Sequence, residues 1–219
     1  MSARPYVEAA VRAGYEVAAI DGFADAQTCA LCAQLAVVPF NEKGFNTHAL
    51  LKAMQAFDLK RFVGLLYGSG FEAQPEVLHQ LALRIPVLGN PAALVAQLKN
   101  PHIFFAALDQ LEITHPDWYA TAPEKLSNLL MKAVGGSGGG HIQYAESVAD
   151  KRAYPHYFQK KIEGDAVSVL FVADGQRVDI VGFNQQWVSA TPVAPYRFGG
   201  IASNADLSAS VKSELRRAA

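Results

Sequence analysis

The chain has 219 residues, 51% hydrophobic and 18% charged, with nineteen basic against twenty acidic side chains. This composition supplies a sizeable core and excludes a disordered chain. The near-zero charge balance argues against a polyanion-binding surface, so no nucleic-acid partner is expected. There is no signal-peptide h-region, and no apolar run approaches the ~20 residues needed to span a bilayer. No membrane partner is expected, and the expected compartment is the reducing cytoplasm.

In chain order, Val7, Ala10 and Val11 share one face of a helix over residues 4–13, which Gly14 ends as a C′ glycine. Residues 15–20 read as a short strand closed by Asp21-Gly22, and a helix over 25–34 follows, then a second strand over 35–38 stopped by Pro39. Both cysteines lie in that helix, where Cys29 and Cys32 form a CxxC. With no second ligand pair the motif cannot close a zinc site, and its alanine-rich setting predicts small buried residues. Asn46 or Thr47 caps a helix carrying Leu50, Leu51, Met54 and Phe57. Residues 61–67 read as the next strand, Pro75 sits near the start of a helix, and residues 81–88 end that helix and add a brief strand. Alternating short strands and helices imply a parallel sheet with helices on its faces. The chain opens on a helix where a doubly wound sheet opens on a strand.

Gly68-Ser69-Gly70-Phe71-Glu72-Ala73 loosely fits the GxGxxA dinucleotide fingerprint. It follows a late strand, however, and Gly89-Asn90 stands where an acidic ribose ligand belongs, about 20 positions on. The better functional reading is a turn that presents Glu72, beside Gly70, to a substrate cleft; a plain strand-to-helix turn is the other.

Asn90-Pro91 is a cap-plus-N1 pair for a helix over 91–98, and Asn100-Pro101 starts another with an apolar stripe from Ile103 to Leu111. His102 and His115 lack partners at metal spacing and read as surface or satisfied histidines. Beyond residue 125 the strands lengthen and become hairpin-linked. Residues 157–162 and 167–173 flank Glu163-Gly164-Asp165, and Asp174-Gly175 turns into a strand over 177–184. In that strand Val178, Ile180 and Gly182 share one face, and Val181 and Phe183 the other. Residues 187–200 read as loop, and 207–219 as an amphipathic helix.

The stretch that organises this half is LLMKAVGGSGGGHIQ. An apolar run ends on Lys132, and five glycines occupy the six positions from Gly135 to Gly140. A loop without side chains lets backbone N–H groups approach an oxyanion, and a strand-borne lysine just before it adds a positive charge. The same composition describes a flexible linker, but strand-like runs on both sides favour a hairpin. A Walker A loop puts its lysine after the glycines, where His141 stands here, and a kinase loop puts it on the following strand, with HRD and DFG elements that are missing.

LLMKAVGGSGGGHI, with YFQKKIEGDAVSVLF after it, resembles the lysine strand, flexible glycine loop and adenine hinge of ATP-grasp proteins. GYEVAAIDGFAD, YGSGFEA and LGNP are similar to the small amino-terminal domain of a carboxylate–amine ligase-like branch. The resemblance implies an α/β fold in three parts. Residues 1–88 form a Rossmann-like pre-ATP-grasp domain, 89–125 linker helices, and 126–219 an ATP-grasp nucleotide-binding domain with antiparallel strands. It implies ATP and Mg2+ as cofactors. Lys132 would contact the α/β-phosphates, and Ser137, Gly138 and Gly139 would close over the β/γ-phosphates. Gln159 would face the adenine amino group, Lys160 and Ile162 would give backbone contacts to the ring, and Glu163 or Asp165 would reach the ribose. Two departures stand out. Ala166 occupies the position where many relatives have an acidic residue, and the linker-helix lysine of many relatives has no clear match, His102 being a possible substitute.

The family's magnesium carboxylates lie on strands after a helix like 207–219, so no metal ligand is expected within this chain. It reads as an incomplete form, lacking those strands and the first one, and as given is expected to be inactive. The implied full reaction is ATP-dependent ligation of a carboxylate to an amine or thiol through an acyl-phosphate, with small-molecule carboxylate and amine substrates. Arg197 is the candidate for stabilising the transferring phosphoryl group; packing on Tyr196 or Phe198 is its structural alternative. Exposed sheet edges make a homodimer possible. Two rivals are a non-catalytic ATP/ADP-binding or assembly module and an NAD-dependent oxidoreductase built on the 68–73 turn.

Overall fold

The computed structural model describes residues 2–41, 43–147 and 154–219. They form two compact units, Met1–Asn100 with Gly135–Ser137, and Pro101–Val134 with Gly138–Ala219.

In the first unit, helix α1 (Arg4–Arg12) has proline in its first turn, buries Val7, and is followed by Gly14 at φ +88°. Strand β1 (Ala18–Asp21) pairs in parallel with β2 (Gln34–Val37), Ala18 opposite Gln34 and Asp21 opposite Val37. Asp21 closes β1 as a fully buried carboxylate. It accepts backbone N–H bonds from Ala3 (2.6 Å), Ala24 (2.7 Å) and Phe23. Burial opposes its charge, but the three N–H donors outweigh it and hold the carboxyl below its ordinary range.

Helix α2 (Ala26–Leu31) is capped by the Asp25 side chain, which also accepts from the Thr28 hydroxyl at 2.7 Å. Here the expectation of buried cysteines fails. Thr28 takes the inward position, Cys29 is exposed, and Cys32 is the extended C-cap rather than a helical residue, so the two thiols do not share a buried face. The hairpin β3 (Phe40–Asn41) and β4 (Gly44–Phe45) leads to α3 (Thr47–Met54), capped by Asn46 on the Ala49 N–H at 2.9 Å.

The strand expected at 61–67 is not formed. Asp58 caps a 3-10 turn at Leu59–Arg61, and pairing shrinks to one parallel bridge, Leu65 to Val87. Close packing fits this: a Cβ on Gly64 would lie 2.6 Å from Leu88 and 2.9 Å from the Pro86 carbonyl. Helix α4 (Pro75–Ala82) begins on its proline as expected, whereas α5 (Ala92–Lys99) takes Pro91 itself, not Asn90, as N-cap. The core joins Val38, Leu50, Met54, Phe71, Leu78 and Leu81. A fully buried leucine such as Leu78 contributes about 1.5–3 kcal/mol by burial.

In the second unit, helix α6 (Pro101–Gln110) precedes a four-stranded antiparallel sheet of order β5-β8-β6-β7, made of β5 (Trp118–Tyr119), β6 (Leu129–Ala133), β7 (Ile142–Tyr144) and β8 (His156–Lys160). One face carries Leu129, Met131 and Phe158, which close a small core with Ala145. The second sheet, β9 (Val167–Ala173), β10 (Val178–Val188) and β11 (Phe198–Ser203), is antiparallel with β10 central. Asp174-Gly175 makes the expected β9–β10 turn: Asp174 accepts the Gln176 and Arg177 N–H groups, and Gly175 sits at φ +89°.

Two expectations are corrected in this sheet. The register shifts between Ile180 and Gly182, so Ile180 and Phe183 share a face and Gly182 lies on the other. Residues 198–200, read as loop, open strand β11, and Trp187 packs on the bare faces of Gly199 and Gly200 there. Ser208 caps helix α7 (Ala209–Ala218), and the Arg216 guanidinium lies 4.9 Å above the ring of buried Phe183. No helix among the described residues is long and apolar enough to cross a membrane.

Candidate functional site

The polar face of the four-stranded sheet is set by register. Lys132 on β6 stands opposite Tyr157 on β8, and Gln159 stands two residues further along, opposite Leu130. Side chains two apart on neighbouring strands meet diagonally on one face. Accordingly Lys132 Nζ donates to Gln159 Oε1 at 2.6 Å. Gln159 is 7% exposed. Burial pushes the Lys132 ammonium below its ordinary value. No carboxylate of the described residues lies within ion-pair distance of it.

This face is backed by rings. Trp118, the register partner of Gln159, stacks on Phe105 of α6 at 5.0 Å and meets His102 edge-on at 4.9 Å. Phe105 also touches Tyr157, whose hydroxyl burial pushes upward in pKa. His115, beside Phe105, is satisfied by Asp109 and the Pro116 carbonyl, both at 3.0 Å. The aromatic buttress was not singled out from sequence; its only signal was the spacing of Phe105, Trp118 and Tyr157 around three elements.

The glycine loop joins β6 to β7 as a hairpin connection. Gly138 and Gly139 take φ +67° and +72°, left-handed values that glycine adopts without steric cost. Gly138 O accepts the Phe198 N–H at 2.8 Å, and a Cβ on Gly139 would collide with the Tyr196 carbonyl. The N–H groups of Gly138 and Gly139 donate to nothing among the described residues. Ser137 is exposed and, with Gly135 and Gly136, packs with the first unit. There Gly136 O accepts from Lys99 Nζ at 3.2 Å.

The other predicted residues are placed as follows. Lys160 points to the opposite face, paired with Asp117 at 3.8 Å, while its backbone N–H donates to Asp117 O. Ile162 lies beyond β8, 61% exposed, with no backbone hydrogen bond among the described residues. Exposed Glu163 pairs with Lys161, and Asp165 is exposed. Arg197 donates to Ser189 O at 3.0 Å and to Ser189 Oγ at 2.8 Å. A hollow of this unit, about 440 Å³ around Asp117, Tyr119, Lys125 and Lys160, does not include Lys132 or Gln159.

In the first unit, Glu72 lies in a cleft of about 370 Å³ whose lining includes Tyr6, Tyr67, Phe71 and Lys99, whereas Gly70 is buried and does not line it. Gly70 sits at φ +117° and donates its N–H to Glu72 Oε2 at 2.6 Å. Among the described residues no group of His, Cys, Asp and Glu could hold a metal ion.

The class this architecture defines is a mixed α/β protein in which a glycine hairpin follows a lysine-bearing strand. The ATP-grasp domain family matches residues 99–219, more than half of the chain, and the chain belongs to that family. An ATP-grasp superfamily protein from Archaeoglobus fulgidus is similar in structure, at 18% identity and TM-score 0.66, over 96% of this chain and 61% of its own. An L-amino acid ligase from Bacillus licheniformis is similar at 18% identity and TM-score 0.66, over 98% and 56%. A carboxyaminoimidazole ribonucleotide synthase from Aspergillus clavatus, complexed with ATP, is similar at 13% identity and TM-score 0.66, over 98% and 59%. The chain thus spans roughly three fifths of the length of these structures. No curated protein sequence matches it.

Proposed function

We propose that this chain carries the ATP-binding face of a ligase that joins a carboxylate to an amine or thiol. The observation that carries the reading is Lys132: a desolvated ammonium whose hydrogen-bond acceptor is a neutral amide oxygen 2.6 Å away. A cation buried without a counter-anion is costly, and a phosphate group supplies the missing charge. Gln159 is suited to the adenine edge through its amide. The Gly138 and Gly139 N–H groups are suited to phosphate oxygens, and the open Ile162 backbone to the ring. Family membership and the ATP-bound neighbour support the same ligand. In this reading residues 1–88, 89–125 and 126–219 serve as pre-ATP-grasp domain, linker and nucleotide-binding domain.

The chemistry proposed is acyl activation. A substrate carboxylate oxygen bonds to the γ-phosphorus as the bond to the β-phosphate oxygen breaks, releasing ADP. The amine nitrogen then bonds to the acyl carbon, phosphate departs, and the nitrogen loses a proton. Lys132 offsets phosphate charge in the ground state and as it shifts. Magnesium belongs to the family's chemistry. The described residues offer no cluster that fits it, so no step is routed through it.

The test is ATP binding followed by turnover. ATP should raise the melting temperature of the chain, and Lys132→Met should remove about half of that rise or more. An ATP-induced rise in the variant equal to that of the wild type overturns the assignment. ADP release across carboxylate and amine pairs then separates a ligase from a nucleotide-binding module.

A further inference from the structure

We propose that the cleft of the first unit is a primary-ammonium site, with Glu72 as the recognising anion. The inference rests on the ligase reading only in naming its occupant the amine substrate; the site stands on its own geometry. Glu72 is half-buried at the start of the turn before α4, and one of its oxygens is held by the Gly70 N–H at 2.6 Å. That bond fixes the carboxylate without neutralising it, and among the described residues no cation lies within ion-pair distance.

Three rings, of Tyr6, Tyr67 and Phe71, stand in the cleft wall beside Val95 and Leu98. Tyr67 is locked by donating its hydroxyl to Asn90 O at 2.6 Å, and its ring meets Phe71 edge-on at 5.6 Å. Its hydroxyl is held above its ordinary pKa by burial and by the Glu72 charge. Tyr6 lies against Gly68, where a Cβ would come within 2.9 Å of the ring, so the glycine admits the tyrosine to the cleft wall. A fixed carboxylate set among aromatic rings is complementary to an organic cation, through a charged hydrogen bond and the ring quadrupoles.

Lys99 sets the limit on that ligand. It lines the same cleft and is tethered to Gly136 O at 3.2 Å, so a second positive charge is disfavoured. The ligand class is therefore a monoamine whose far end is neutral or anionic, with a body small enough for about 370 Å³.

The probes are phenethylamine, N-acetylphenethylamine and cadaverine, titrated into the full chain and followed by ligand-detected NMR. Phenethylamine is expected to bind, with the acetylated and diamine probes at least tenfold weaker. Glu72→Gln keeps the acceptor for Gly70 but removes the charge, and should weaken phenethylamine at least tenfold while leaving the melting temperature without ligand unchanged. Lys99→Met should improve cadaverine relative to phenethylamine. Equal binding of the acetylated probe, or wild-type affinity in Glu72→Gln, overturns the proposal. The ATP-induced melting shift is read on the same samples. A shift without amine binding sinks this inference alone, and amine binding without a shift sinks the nucleotide reading alone.

Discussion

Replacing Lys132 with Met tests the nucleotide face quantitatively. Methionine keeps most of the stem and removes the ammonium that donates to Gln159 at 2.6 Å. Charge-assisted hydrogen bonds contribute about 1.5–3 kcal/mol, which corresponds to roughly a tenfold to hundredfold weaker Kd for ATP. At a concentration of about 100 times the wild-type Kd, ATP stabilises the folded chain by about 2.7 kcal/mol. The same concentration then gives the variant only about 0.4–1.4 kcal/mol. For a chain of this size each kcal/mol moves Tm by about 2–4 °C. The wild type should therefore rise by about 5–11 °C and the variant by about 1–6 °C, in thermal melts with and without ATP.

A pH arm sharpens the test. Burial lowers the Lys132 pKa in the folded chain, so the folded state binds this proton less readily than the unfolded one. Stability then rises with pH between the lowered value and the ordinary 10.5. Lys132→Met should lose that component of the rise. Identical ATP shifts in the two proteins would refute the assignment, because a contacting cation cannot be removed without weakening its anion.

Four further outcomes follow from single features. Asp21→Ala leaves three backbone N–H groups near Asp21 without their acceptor and should cost about 2–4 kcal/mol by denaturant titration. Its carboxyl pKa is lowered in the fold, so its stabilisation is complete above the unfolded value of about 3.9 and fades as pH falls through the folded one. In Asp21→Asn that acid-limb component should vanish. Gly139→Ala, at φ +72° against the Tyr196 carbonyl, should cost more than the ~1–2 kcal/mol of a left-handed alanine alone. Gly140→Ala, where an added Cβ meets nothing within 4 Å, should be near neutral in the same melts.

Local signals carried far where a single residue decides the backbone. Asn46 caps α3, Pro75 opens α4, and Asp174-Gly175 turns β9 into β10, each by chemistry confined to a few positions. The mixed α/β class and the lysine strand with its glycine hairpin were legible for the same reason. The errors arise where a distant partner decides. Residues 61–67 carry strand-like side chains, but Leu65 finds only Val87 to pair with. Gly199 and Gly200 read as loop until Trp187 is laid over them. The cysteines are a local miss: the Asp25 cap, three residues away, takes the Thr28 hydroxyl, and Thr28 is the buried residue of that helix. At the candidate site, both Lys132 and Gln159 could be named from sequence. Their 2.6 Å contact is a matter of strand register, which no spacing reveals.

The chain holds two tryptophans, and they stand in different sheets. Trp118 faces Gln159 across the strand pair, whereas Trp187 covers glycine backbone on β11. The first indole is thus a built-in optical gauge at the edge of the Lys132 face, and Trp187→Phe would silence the background. Emission from the remaining ring would then follow an arriving nucleotide in real time, with no dye attached.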